Sequence, residues 1–212
     1  MLYNVYMEPI DYKTIKESVI TEQEIQKSKF ITYLAPVQTE AEAKEYLRAI
    51  KKEHPKATHH CSAYVVGEIE RSNDDGEPSS SAGLPMLQVL RGNKMNYVIA
   101  VVVRYYGGIL LGVGGLIRAY GSSVTLGIQE AEVLVPQRVF LFRVSFPYEF
   151  TNDVEVYAGS VGTVIERQYD TLAVYDVRVL SPDALDKLSD VTRGMGHKEL
   201  IQESIELIKE VS

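Results

Sequence analysis

Hydrophobic and polar positions follow different periods along the first part of the chain, and each period predicts an element. Residues 18–21 and 30–34 are rich in β-branched and aromatic side chains around a polar break at 26–29, which predicts two strands. Apolar residues then recur with helical spacing at positions 43, 46, 47 and 50. A capping box, Thr39 with Glu42, precedes them, so we expect a helix over residues 39–52.

The middle of the chain predicts a strand and then a loop. In a strand over residues 58–69, successive side chains alternate between two faces, with residues 60, 62 and 64 on one of them. Turn-forming residues concentrate at 73–81 and predict a loop, which a short helix over 81–90 follows.

An apolar run and a glycine-rich segment come next. Residues 97–103 lack polar alternation, which favours a central strand covered on both faces. Five glycines between positions 107 and 115 separate this strand from a helix predicted over residues 116–130.

A second pattern begins after Pro136, where aromatic and aliphatic residues at 140, 142, 144 and 146 alternate as in a half-buried strand. The remaining elements are predicted as helix, strand, strand, helix and strand at residues 152–161, 164–169, 173–180, 182–193 and 198–211. The sequence therefore predicts an α+β protein with two domains, residues 1–135 and 136–212.

Composition and charge limit the classes of partner. The chain has 212 residues, of which 45% are hydrophobic and 24% charged, as in soluble globular proteins. Its net charge of −7 is uneven: residues 1–135 carry 14 Lys and Arg against 16 Asp and Glu, and residues 136–212 carry 8 against 13. Because nucleic-acid binding depends on concentrated Lys and Arg, any anion site must be local.

The sequence shows no targeting or membrane signal. The longest apolar run ends at Arg104, well short of the roughly 20 residues that a transmembrane helix needs. Residues 1–9 lack a basic segment followed by a continuous apolar one, and Cys61 is the only cysteine. We therefore expect a cytoplasmic protein without disulfides and without membrane association.

Four ordered motifs resemble a known family. They are KSKFI at 27–31, ATHHCSAY at 57–64, SxDDGEPS at 72–79 with AGxP at 82–85, and VVRYYGGxxLGxGGLIRAY at 102–120. The chain thus resembles the YigZ/IMPACT family. The resemblance implies an N-terminal α/β two-layer sandwich like domain 2 of a ribosomal small-subunit protein. It also implies a C-terminal ferredoxin-like βαββαβ domain similar to the last domain of elongation factor G. The chain departs from the family at Ser80-Ser81, where Gly-Thr is usual.

We expect ligand-binding residues to line one groove built from the predicted strand, loop and glycine-rich segment. The candidates are His60, Ser62, Tyr64, Asp74, Asp75, Glu77, Ser79, Arg104, Tyr106, Gly107, Gly108, Gly112, Gly114, Gly115 and Arg118. Glycines before a helix can offer backbone amides to an anion, arginine pairs with phosphate, and tyrosine stacks on bases. Alternatively, the glycines only permit close packing, and the arginines bond to the acidic loop.

The sequence favours neither a metal site nor a catalytic nucleophile. His59 and His60 point to opposite faces of a strand, and a cysteine beside them is more often a buried apolar residue. The spacing of Asp74, Asp75 and Glu77 is not that of an EF-hand, so an acidic turn is the simpler interpretation. No metal, cofactor or catalytic residue is assigned.

The leading functional hypothesis is a regulatory protein, linked to translation control, that binds RNA, the ribosome or another nucleic acid through the groove. One alternative is a protein-interaction module whose acidic second domain carries the interface. Another is a hydrolase or transferase that uses His60, Asp74, Asp75 or Glu77, so the sequence leaves open whether the protein is an enzyme.

Overall fold

A computed structural model describes residues 11–210 of the chain, so the amino-terminal residues 1–9 considered above lie outside it. The described residues form two five-stranded sheets and five α-helices, and they divide into two compact units. The first unit comprises residues 11–135 and 207–210, and the second comprises residues 136–206. The sequence placed residues 207–210 in the second domain. They group with the first unit instead, where the Glu210 amide donates to the Val133 carbonyl at 2.9 Å.

The first unit is built on a sheet with helices on both faces. Its elements are β1 (Thr14–Ile15), β2 (Val19–Ile25), β3 (Ser28–Pro36), α1 (Glu40–Glu53), β4 (His59–Val66), β5 (Ile69–Asn73), α2 (Gly83–Gly92), β6 (Val98–Tyr105) and α3 (Gly112–Glu130). The sheet order is β2-β3-β6-β4-β5, with all pairs antiparallel. In addition, β1 pairs with residues 133 and 134.

The central strand β6 explains why helices cover both faces. All its residues from Val98 to Arg104 are buried, as the continuous apolar run predicted. Val98, Ala100 and Val102 pack under α2 and α3, while the alternate residues pack under α1. The unit thus has three layers, and the two-layer sandwich implied by the family resemblance is wrong on this point.

The helix α1 begins as its sequence predicts. The Thr39 hydroxyl accepts the Glu42 amide at 3.1 Å, and the Glu42 carboxylate accepts the Gln38 amide at 2.8 Å. These bonds satisfy amides that the first helical turn leaves unpaired. Ala43 and Ile50 are buried against the sheet, which anchors the helix on that face.

The strand predicted over residues 58–69 is confirmed over residues 59–66 as β4, but the chain then turns and forms a hairpin with β5. Gly67 has a φ of +58°, which lets the chain reverse, and β5 then returns beside β4. The Asn96 side chain accepts the Gly67 amide at 2.8 Å and donates to its carbonyl at 3.1 Å. A distant residue therefore holds this turn, which is why local pattern alone did not reveal it.

The second unit follows a strand and helix alternation. Its elements are β7 (Val133–Phe146), α4 (Thr151–Val161), β8 (Gly162–Tyr169), β9 (Ala173–Val179), α5 (Leu188–Val191) and β10 (His197–Lys209), where β7 starts and β10 ends with residues of the first unit. β7 pairs with β9, β9 with β8, and β10 with β7. The choice of a strand for the last element is confirmed.

The helix predicted over residues 182–193 is largely a series of tight turns. Amides donate to carbonyls three residues back at Ala184, Asp186 and Leu188, and only Leu188–Val191 is α-helical. Leu185 and Leu188 are both buried. Residues three apart share a face in three-residue turns, so this geometry delivers both leucines to the core. None of the helices in residues 11–210 has the length and apolar character needed to cross a membrane.

Candidate functional site

A cavity of about 390 Å³ opens in the first unit, where β6 ends and β4 begins. Its lining residues are Thr58, His59, Glu77, Pro78, Arg104, Tyr106, Leu110, Leu111, Gly112, Val113 and Leu116. The walls are mostly apolar, while Glu77, Arg104 and His59 supply polar groups. Small-ligand sites commonly have this size and this mixture of apolar walls with few polar groups.

A buried ion pair lies at the cavity. Arg104 Nη1 donates to Glu77 Oε1 at 2.7 Å, and the two side chains are only 6% and 3% exposed. The Tyr120 hydroxyl donates to the same oxygen at 2.7 Å, and Arg104 Nη2 donates to Ser28 Oγ at 3.2 Å. Arg104 is thus bonded to the acidic loop and Glu77 compensates its charge, as the alternative interpretation expected for both arginines and the structure shows for this one.

One polar atom of this pair lacks a partner among the described residues. Arg104 Nε is buried and makes no hydrogen bond within the described residues. A buried donor without a partner costs about 1–3 kcal/mol. The buried pair therefore contains one donor without a partner among residues 11–210.

Asp74 organises the acidic loop. Its Oδ1 accepts the amides of Ala82 and Gly83 at 3.1 and 2.8 Å, and its Oδ2 accepts the Ser80 amide at 2.8 Å. These contacts cap the start of α2, where a carboxylate is also favoured by the helix dipole. All the close contacts of this carboxylate are thus structural.

Asp75 ties the loop to α1 and β4. Its Oδ1 bonds to Lys51 Nζ at 2.7 Å, and its Oδ2 accepts the His60 amide at 2.7 Å. Burial alone would raise the pKa of this carboxyl, but the Lys51 ammonium and the His60 amide lower it. Asp75 is therefore held as an anion with its charge matched.

Ser80 occupies the position where the family usually has glycine, and its φ is +61°. Glycine adopts this left-handed region freely, whereas other L-residues pay about 1–2 kcal/mol. We expect Ser80→Gly to raise the free energy of unfolding by about 1 kcal/mol, as measured by urea denaturation. The exposed Ser79, which has no positive φ, provides the control, because Ser79→Gly should be neutral or slightly destabilising. An equal effect of the two substitutions would contradict this account.

The strand residues predicted for the groove lie elsewhere. His60, Ser62 and Tyr64 are on the face of β4 that α1 covers, and the Tyr64 hydroxyl donates to Glu40 at 2.8 Å. Their alternation was predicted correctly, but their placement in the groove was wrong. A helix packs on this face, and α1 supplies Glu40 as the partner that a buried tyrosine hydroxyl needs.

His59, which the candidate set omitted, lines the cavity instead. Its Nδ1 lies 2.9 Å from the Asp75 carbonyl oxygen, so this nitrogen carries the donated proton. Its Nε2 lies 3.8 Å from Glu77 Oε1. The clue in the sequence was that His59 shares a strand face with the apolar Cys61 and Ala63.

Cys61 is fully buried, and its thiol donates to the Asp74 carbonyl at 3.0 Å. Burial raises the pKa of this thiol to about 12, so it stays protonated at neutral pH. This environment suits a structural residue rather than a nucleophile. Within residues 11–210, no three His, Cys, Asp or Glu side chains are grouped as metal ligands.

The glycine-rich segment has two structural parts. Gly107 lies against the backbone of Lys27, and its amide donates to Ser28 Oγ at 3.2 Å. Gly112, Gly114 and Gly115 belong to the first turns of α3, which begins four residues before its predicted start. The predicted loop of five glycines is therefore shorter, although Gly108 and Gly112 have φ values of +83° and +70°.

Arg118 lies on α3, is exposed, and does not line the cavity. The structure thus separates it from Arg104, and the two arginines do not form one phosphate clamp. Tyr106 does line the cavity, and the residue is 45% exposed. The Arg104 guanidinium carbon lies 5.5 Å from the centre of this ring.

Comparisons with known proteins agree over this region. Residues 26–128 match the family described as the Impact N-terminal domain, and this range contains every cavity-lining residue. The IMPACT family member YvyE of Bacillus subtilis (strain 168) is 48% identical over 147 residues, which cover 68% of each chain. The IMPACT family member YigZ of Escherichia coli (strain K12) is 36% identical over 181 residues, which cover 81% of this chain and 89% of the relative.

A solved structure is similar over nearly the whole chain. It is described as the crystal structure of a hypothetical protein and superposes with a TM-score of 0.56 at 34% identity. The match covers 90% of this chain and 97% of the other. The similarity therefore extends beyond the first unit.

Proposed function

The chain belongs to the IMPACT family, and from this premise we propose that it is a regulatory protein linked to translation control. In this proposal it binds RNA, free or within the ribosome, near the cavity of its first unit. The supporting observation is a set of exposed cations, Lys27, Lys56 and Arg118, which have no acidic partner within 4 Å among residues 11–210. Such cations attract the phosphates of a nucleic acid.

Each cation is close to the cavity lining either along the chain or through a backbone contact. Lys56 precedes the lining residue Thr58 by two positions, and Arg118 follows Leu116 by two positions. The Lys27 carbonyl contacts Gly107, which follows Tyr106. Nearby carboxylates are already matched, Asp75 by Lys51 and Glu77 by Arg104. A local positive field is thus compatible with the net charge of −7.

The topology of the second unit supports the proposal that this unit has a ferredoxin-like fold. Its strands and helices follow the order βαββαβ, and its pairing places β7 between β10 and β9. We assign it on this basis to the ferredoxin-like class. Because the second unit is acidic and phosphates are bound by Lys and Arg, we assign the RNA contact to the first unit.

The proposal is tested by fluorescence anisotropy of the full chain with a labelled single-stranded 12-nucleotide RNA. We expect binding at low salt that weakens as salt rises. Combined substitution of Lys27, Lys56 and Arg118 by alanine should reduce the slope of log affinity against log salt by about 2, since each phosphate contact on a single strand contributes roughly 0.7.

The matched control removes three cations that already have acidic partners, Lys44, Arg48 and Lys94. This variant should keep the original salt slope. No binding at low salt would refute RNA binding, and an equal loss in both variants would refute the location.

A further inference from the structure

A group of apolar side chains is exposed beside the cavity. Among residues 11–210, seven large hydrophobic residues of the first unit are exposed, and five of them fall within residues 106–117. These five, which we call the apolar ridge, are Tyr106, Ile109, Leu110, Val113 and Ile117; the other two are Ile20 and Ile69. Leu110 is 84% exposed. Single exposed hydrophobic residues are ordinary, but a cluster of them indicates an interaction site.

The ridge includes an apolar stripe at the start of α3. Val113 and Ile117 are four residues apart in the helix, so they lie on one face in successive turns. Leu110 precedes Val113 by three residues, in the segment that leads into the helix. An apolar stripe on a helix is usually buried against another element, yet these three residues are 40–84% exposed. Within the described residues, the stripe therefore has no packing partner that covers it.

The cavity adds a pocket to this stripe. Tyr106, Leu110 and Val113 belong to the ridge and also line the cavity, where Leu111 and Leu116 contribute further apolar surface. In protein interfaces, a few large side chains that fill such pockets carry most of the binding energy. A lipid surface has no side chain to place in a pocket, and bases stack on aromatic rings, whereas four of the five ridge residues are aliphatic. The shape and chemistry thus favour a protein segment.

The charges around the ridge favour an acidic partner. Residues 105–118 contain no Asp or Glu. A Cβ on Gly114 would lie 3.7 Å from an Arg118 guanidinium nitrogen, so this cation lies at the first turn of α3. On the other side, the Lys27 carbonyl contacts Gly107. Both cations are exposed and have no acidic partner within 4 Å among residues 11–210, so carboxylates of a partner would complement them.

We propose that the apolar ridge docks an acidic amphipathic helix of another protein, with one large apolar side chain of that helix in the cavity. The apolar face of the helix packs along Leu110, Val113 and Ile117, and its carboxylates lie near Lys27 and Arg118. Amphipathic helices are commonly recognised in this way by apolar grooves. The inference goes beyond RNA binding and does not depend on it. Because both ligands use the same cations, we expect them to compete.

The test is fluorescence anisotropy of the full chain with two labelled 18-residue helical peptides. Both peptides carry leucines on one face with a central phenylalanine, and they differ only in having glutamate or lysine at the flanking positions. We expect the acidic peptide to bind about tenfold more tightly than its basic twin at low salt. Added salt should narrow this difference, because it screens exposed charges.

Variants of the chain locate the binding surface. Leu110→Ser should weaken binding of the acidic peptide about tenfold, as expected for a residue beside the pocket of an interface. Ile20→Ser is the matched control, because Ile20 is 62% exposed in the same unit but lies on β2 and does not line the cavity. Combined substitution of Lys27 and Arg118 by alanine should remove most of the preference for the acidic peptide and leave the basic peptide bound at least as tightly.

Several results would overturn the docking site. Absence of binding to both peptides, or equal weakening by Leu110→Ser and Ile20→Ser, would show that the ridge does not bind such a helix. Equal affinity for the two peptides would refute the acidic partner.

Two further measurements distinguish other occupants, and either positive result would also overturn the proposal. A dimer of the unmodified chain in sedimentation velocity that Leu110→Ser dissociates would identify a second copy as the occupant. Binding to vesicles of phosphatidylserine and phosphatidylcholine that Leu110→Ser abolishes would identify a lipid surface. RNA binding is measured with a different ligand, so its failure would leave the docking site in place.

Discussion

Glu77→Ala is expected to lower the free energy of unfolding by about 3–5 kcal/mol, because it leaves the Arg104 guanidinium buried without its counter-charge. Arg104 is only 6% exposed and bonds to Glu77 at 2.7 Å. The Tyr120 hydroxyl, which is buried, loses the same acceptor. Urea denaturation of the full chain, followed by circular dichroism at pH 7, measures the effect.

The control for this prediction removes both charges together. A variant with Glu77→Met and Arg104→Met keeps apolar volume and leaves no buried charge, so it should be more stable than Glu77→Ala alone. The double-mutant cycle formed with the single methionine variants isolates the coupling between the two residues. A loss below about 1 kcal/mol for Glu77→Ala would mean that water reaches the pair and the structural role is wrong.

Gly107→Ala is the second substitution with a large expected effect, a loss of about 3 kcal/mol or more from overpacking. An added Cβ would lie 1.9 Å from the Lys27 carbonyl oxygen and 2.6 Å from the Ser28 amide nitrogen. Both atoms belong to the backbone of the tight β2–β3 turn, so neither can move without disturbing the hairpin. Thermal and urea unfolding of the variant provide the measurement.

Two neighbouring glycines serve as controls for Gly107. Gly114 lies in α3, where an added Cβ meets only an Arg118 side-chain nitrogen at 3.7 Å, so Gly114→Ala should stabilise by up to about 1 kcal/mol. Gly108→Ala meets no atom within 4 Å but has a φ of +83°, so it should cost about 1–2 kcal/mol. Equal effects of all three substitutions would show that close packing at Gly107 is not special.

These expectations separate two roles within the glycine-rich segment. Gly107 permits the backbone that follows β6 to approach the β2–β3 turn, whereas Gly112, Gly114 and Gly115 lie in the first turns of α3. The sequence interpretation offered anion cradling and close packing as alternatives. At Gly107, packing is the role that the geometry shows.

Elements with strong local signals were determined by the sequence alone. The bounds of α1 follow from Thr39, Glu42 and the helical spacing of apolar residues, all within a single element. The continuous apolar run 97–103 required burial on both faces, and β6 is buried on both. The motifs also identified the family, because they are long and ordered. Such information lies in neighbouring residues, so no tertiary contact is needed to read it.

Only the tertiary structure decided which side chains meet at the site. Alternation placed His59 and His60 on opposite faces of β4, but which face α1 covers depends on packing between distant segments. The pairing of Glu77 with Arg104 joins residues 27 positions apart, and the hydrogen bond from Tyr120 to Glu77 spans 43 positions. In the sequence, a carboxylate in a turn and an arginine at a strand end are equally compatible with binding a ligand and with forming an ion pair with each other. Their burial together decides between these roles, because a charge removed from water needs its counter-charge close by.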